Sequence, residues 1–131
     1  MTADEVNKCI GLSYGKDANG PNAYNCWTFL EFVERTYFGI DIPFLSLKDT
    51  EENAELHRYK LRSGEWQITK EPKHGDGVLL RGGMSPHVGV YIDLEGGGVL
   101  HCVEGFGVIF TPKNHLSASG YDQATFYRFN K

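Results

Sequence analysis

The apolar residues of this chain change period partway along it, and that change limits the fold more than any other feature. Up to about residue 60 they recur at helical spacing. Beyond Val78 they alternate with polar or small residues, the pattern of strands with one buried face. Thr2 and Glu5 have the spacing of a capping box, and Val6, Cys9 and Ile10 share one face, so a first helix is expected over Ala3 to Leu12. Gly15 to Ala23 (GKDANGPNA) is dense in loop-forming residues. A second helix is expected from Asn25 or Cys26, with Cys26, Leu30, Val33 and Tyr37 in one stripe and Gly39 and Pro43 as its stop. A third is expected after the Asp49–Glu52 pair and before Gly64.

Five strands are then expected: Val78–Leu80, Val88–Ile92, Val99–Glu104, Val108–Thr111 and Ala124–Phe129. Helices followed by antiparallel strands make an α+β fold. At 131 residues the chain has the length of one domain, and no repeat or linker divides it, so residues 1–131 are read as a single domain.

Charge and cysteine content narrow the function classes. The net charge is −4 with no basic run, which argues against a nucleic-acid partner. No apolar run approaches a membrane span. The polar, acidic N-terminus does not resemble a secretory signal, so synthesis in the cytoplasm is expected. Three cysteines, Cys9, Cys26 and Cys102, form no CxxC pair and no even disulfide set, which favours free thiols.

Cys26 stands out among them. It falls at the first turn of an amphipathic helix, after a polar loop, where unpaired N–H groups and the helix dipole favour a thiolate and can hold an oxyanion. A small core residue on the helix stripe would occupy the same position. His87 and His101 lie in adjacent apolar strands, where burial is costly without a reason. A base on one strand and its orienting partner on the next is triad logic. Tyr14, ahead of the loop, has a phenol suited to an oxyanion site or to packing, and Trp27 reads as a core or cleft-wall residue. Asp76, in Gly75-Asp76-Gly77, is assigned a structural turn role. His57, His74 and His115 read as bland. A zinc site built from them with Cys102 lacks any standard ligand spacing, so neither metal nor cofactor is implied.

The triad also sets a geometric condition. His87 and His101 share a face only if their hairpin pairs odd residues with odd. That needs an odd-numbered loop, such as Glu95–Gly97 or Asp93–Gly97.

The order and spacing of several blocks resemble the NlpC/P60 family of papain-like cysteine peptidases, over Ile10 to Phe129. The blocks are Ile10-Gly11-Leu12-Ser13-Tyr14-Gly15, Tyr24-Asn25-Cys26-Trp27-Thr28-Phe29, Phe38-Gly39-Ile40-Asp41-Ile42-Pro43, His74-Gly75-Asp76-Gly77-Val78, His87-Val88-Gly89-Val90-Tyr91-Ile92 and Val99-Leu100-His101-Cys102. Tail-associated members from bacteriophages and prophages are the most similar.

The resemblance implies a papain-like fold, with N-terminal helices packed on a central antiparallel sheet. It implies Cys26 as nucleophile, His87 as base and His101 as orienting residue, with Tyr14, Asn25 and Trp27 around the substrate and oxyanion site. The implied activity is hydrolysis of amide bonds in peptidoglycan stem peptides, with other tail or secretion-system proteins as partners and the virion tail or periplasm as destination. Asn25 stands where the family commonly has Asp, which removes a charge. Lys16 and the loop to Ala23 also depart from the family pattern. Two alternatives stay open: a structural tail-assembly module with this fold, and a deamidase or acyltransferase acting on another substrate.

Overall fold

The computed structural model describes residues 1–42, 55–56, 58–60, 62–82 and 87–129. It is α+β. A first helix, α1 (Ala3–Cys9), leads to two short strands, β1 (Ser13–Tyr14) and β2 (Ala23–Tyr24), and then to α2 (Cys26–Val33), which runs on into a π turn over Glu34–Phe38. Six further strands follow: β3 (Trp66–Thr69), β4 (Gly77–Arg81), β5 (His87–Ile92), β6 (Gly98–Val103), β7 (Gly107–Pro112) and β8 (Gln123–Phe129). They form one antiparallel sheet in the order β3-β8-β4-β5-β6-β7. Among the described residues no helix is long and apolar enough to cross a membrane.

The second helix forms where the sequence places it. Asn25 caps it, accepting from the Thr28 N–H at 2.8 Å while Thr28 Oγ1 accepts from the Asn25 N–H at 2.9 Å. Phe29, Leu30 and Val33 are fully buried against β5 and β6, each contributing roughly 1.5–3 kcal/mol of apolar burial. The expected stripe breaks at Tyr37. The π turn rotates the last residues, so that Glu34 is buried and Tyr37 is only partly so. Gly39 ends the helix in the left-handed region (φ 68°), the stop its position led us to expect.

The first helix is shorter than expected, closing at Cys9 rather than Leu12. Gly11 takes φ 92° and gives its N–H to the Val108 carbonyl, and Val108 N–H bonds back to Leu12. Those two bonds draw the chain onto β7, and they depend on residues almost a hundred positions away. The third expected helix begins among residues outside the described set. Those described between 55 and 62 are helical, and His57 lies outside it. The five expected strands all form. The loop read at 15–23 gives way at Ala23 to β2, paired in parallel with β1, and β3 joins the sheet edge beside β8; alternation had not marked either.

The sheet packs on both sides. Toward α2 it presents Leu79, Val88, Val90, Ile92, Leu100 and Cys102. On the opposite face Val78, Leu80, Tyr91 and Val99 pack under Leu116, with Tyr121 and Phe126 at the margin. Asp76, before β4, is buried. It accepts the Lys73 N–H at 2.7 Å and holds Arg128 of β8 with both oxygens, at 3.0 and 2.7 Å. The first of these bonds is the turn role read from the sequence, and the ion pair to β8 adds a tertiary tie.

Candidate active site

The β5–β6 hairpin decides whether two histidines can meet. Its loop runs from Asp93 to Gly97, and Tyr91 pairs with Val99, so odd residues face odd. Continuing this register puts Gly89 opposite His101 and His87 diagonal to it on the same face. The missing side chain at Gly89 is what lets the rings in: a Cβ there would lie 2.5 Å from Val99 Cγ1 and 3.0 Å from His101 Cβ. His87 Nε2 and His101 Nδ1 are 2.7 Å apart, a hydrogen bond between the two imidazoles.

The bond continues. His101 Nε2 meets Thr111 Oγ1 of β7 at 2.8 Å. Val99 pairs with Thr111 and His101 with Ile109, so Thr111 sits diagonal to His101 on the same face. Tyr121 closes that face, its ring parallel to His87 (5.5 Å between centroids, 10°) and edge-on to His101. Sequence reading missed both residues. Thr111 carried one signal, a hydroxyl in an apolar strand. Tyr121 carried none, since it lies in irregular chain.

Cys26 reaches this group from the other side of the sheet. It packs in the α2 cluster and is 8% exposed. Tyr91 uses its N–H and C=O toward the β4 side, bonding Asp76 and Gly75. Alternation therefore turns the amides of Val88, Val90 and Ile92 toward β6. The β5–β6 ladder pairs Val90 to Ile92 with Gly98 to Leu100 and goes no further. The Val88 N–H lies beyond its end, and together with the N–H groups of Trp27 and of Cys26 itself it favours the Cys26 thiolate. The thiol thus abuts the residue next to His87. The charge of a Cys26 thiolate is also felt at the phenols of Tyr14 and Tyr121.

Burial corrects one expectation. A helix start lowers a thiol pKa, and the three N–H groups act in that direction. Burial outweighs them and pushes Cys26 up to about 11. The same cause brings His87 down to about 4 and, with the neighbouring His87 adding to it, His101 to about 3. At neutral pH sulfur holds its proton and both rings are neutral.

The remaining expected site residues separate. Tyr14 is half-buried beside Cys26. The Asn25 amide serves the helix cap and donates to the Lys16 carbonyl at 2.9 Å, which ties the preceding loop to the helix. Trp27 is buried in the core cluster against the sheet. Cys9 and Cys102 are buried free thiols whose pKa burial raises, Cys102 to about 12, and Cys102 donates to the Tyr24 carbonyl at 3.2 Å. His74 bonds the Met1 backbone and the Asp93 N–H, away from Cys26. Among the described residues no group of three or more His, Cys, Asp or Glu side chains is placed to hold a metal ion. Comparison with protein-family models and with curated proteins gave no match.

Proposed function

We propose that this chain is a papain-like cysteine amidase of the NlpC/P60 type that hydrolyses peptide bonds of peptidoglycan stem peptides. The observation that carries the reading is the 2.7 Å bond between His87 and His101, with the Cys26 thiol held at the Val88 amide one residue from His87. A buried imidazole pair beside a buried thiol is costly and has no evident packing purpose.

The bonding leaves a definite role for each ring nitrogen. His87 Nε2 is taken by His101, so Nδ1 is the nitrogen free to receive the thiol proton. That requires Nε2 to carry a proton and donate to His101 Nδ1, and His101 Nε2–H then to donate to Thr111 Oγ1. The sulfur forms its bond to the scissile carbonyl carbon as its proton passes to His87. His87 then returns that proton to the leaving amine as the C–N bond breaks, leaving a thioester. Water adds to the thioester, gives a proton to His87, and frees the acid as the thiol re-forms. Because burial keeps Cys26 and His87 neutral at rest, charge separates only as substrate arrives, when the carbonyl oxygen takes the developing charge.

The test is incubation of purified sacculi and soluble muropeptides with wild type and Cys26→Ala, read by mass spectrometry. New cleaved peptides from wild type alone are expected. The low exposure of Cys26 favours one other reading, a tail-assembly module that keeps the fold without turnover. Intact muropeptides after prolonged incubation with folded wild type would select it.

A further inference from the structure

His87 and His101 differ from a triad that ends in a carboxylate. Among the described residues their side-chain hydrogen bonds run to each other and to Thr111, and none reaches an acid. Among the described residues, an imidazolium formed at His87 would therefore have no hydrogen-bonded carboxylate to balance it, which leaves the thiolate. Burial alone already disfavours that cation.

One side chain touches both rings. Tyr121 lies parallel to His87 at 5.5 Å and 10°, and meets His101 at 6.0 Å and 66°. Its backbone fixes it there. Tyr121 N–H donates to the Leu116 carbonyl at 2.9 Å, and Leu116 is buried against the sheet. The preceding residue, Gly120, presses on the end of β4: a Cβ at Gly82 would lie 1.6 Å from the Gly120 carbonyl oxygen. The ring is thus placed before any substrate arrives. Among the described residues the titratable groups in contact with the His87 ring are His101 from β6 and Tyr121 itself, the Cys26 thiol lies one residue along at Val88, and from β4 the residue opposite is the apolar Leu80.

We propose that Tyr121 is a positioning residue whose ring face stabilises the His87 imidazolium and holds that ring in plane, so that Nε2 stays on His101 while Nδ1 takes the thiol proton. An aromatic face carries negative charge density and attracts a desolvated cation, which is the role an acid would otherwise play. This inference rests on the reading of Cys26 and His87 as nucleophile and base.

The test compares Tyr121→Phe, which keeps the ring and loses the hydroxyl, with Tyr121→Leu and Tyr121→Met, which lose the ring and keep an apolar body. Two quantities are read on folded protein: the rate of Cys26 alkylation by iodoacetamide against pH, and the titration midpoint of His87 by nitrogen-15 NMR in a Cys26→Ala background. We expect Tyr121→Phe to stay within about twofold of wild type, and the ring-less variants to alkylate about tenfold more slowly at neutral pH, with a lower His87 midpoint. Unchanged midpoint and alkylation profile in a folded ring-less variant would overturn the inference, as would a Tyr121→Phe variant as impaired as Tyr121→Leu. The midpoint needs no turnover, so it separates this inference from a failure of the muropeptide experiment.

Discussion

The two faces of the β5–β6 hairpin are built from the same ten or so residues and do opposite things. Toward α2, Val88, Val90, Ile92, Leu100 and Cys102 make a dry contact with Phe29, Leu30 and Val33. On the other face, His87 and His101 bond one another, Thr111 and Tyr121 fix their orientation, and Gly89 leaves them room. Strand alternation alone assigns residues to faces. What distinguishes the faces is that one is apolar along its length, while the other sets a hydrogen-bonded histidine pair beside the apolar patch of Tyr91 and Val99. The thiol is the link, since it belongs to the packed face and makes its polar contact through the strand's backbone at Val88.

The comparison can be broken at several points. The largest effect is expected at the link. Cys26→Ala and His87→Ala should each lower hydrolysis by about 10⁴-fold or more with little change in melting temperature for the first. Residual rates within tenfold of wild type, measured on muropeptides, would detach the polar face from catalysis.

Gly89→Ala should come next, because its Cβ has no space between Val99 and His101. We expect at least a hundredfold loss of rate and a lower melting temperature. A fully active, fully stable variant would show that the rings do not need that gap. Thr111→Val keeps shape and loses the hydroxyl. It should lower kcat about tenfold with KM unchanged, and Thr111→Ser should restore most of it. Equal loss in both variants would point to packing instead of tautomer control.

A smaller effect is expected at pH extremes. The folded-state pKa values of His87 and His101, about 4 and about 3, lie below the ordinary 6.5. The folded state therefore binds fewer protons than the unfolded one in that range. The stability tied to neutral rings is whole above about pH 6.5 and is lost as pH falls toward 4 and 3. Cys26 works in the opposite direction. Its raised value keeps its contribution whole below about pH 9, to be lost as pH rises through about 11. Melting temperature followed against pH should show a shallower acid decline in His101→Asn than in wild type. Parallel curves would mean that the rings are not neutral in the folded protein.

The smallest effect on chemistry is expected outside the hairpin. Asp76→Ala removes the Lys73 and Arg128 bonds and should cost about 2 kcal/mol, several degrees in melting temperature, with rate per folded molecule nearly unchanged. A larger loss of rate than of stability would move Asp76 into the site.

The sequence by itself determined the α+β class, the second helix with Cys26 at its head, the five strands, and the condition under which His87 and His101 can meet. Each of these follows from local rules: a helical stripe that starts at Cys26 and a period of two in the strands; the five-residue loop between Ile92 and Gly98 that meets the condition was decided by the folded hairpin. It could not place Thr111 or Tyr121, whose roles come from a diagonal contact with His101 on the adjacent strand and from a loop pinned on Gly82. Nor could it show that Cys26 is held protonated. The helix start favours a thiolate and is visible in the sequence. Burial under the sheet favours the thiol, is larger, and exists only once α2 has packed on β5 and β6, because desolvation depends on all the surrounding atoms and not on the neighbours along the chain.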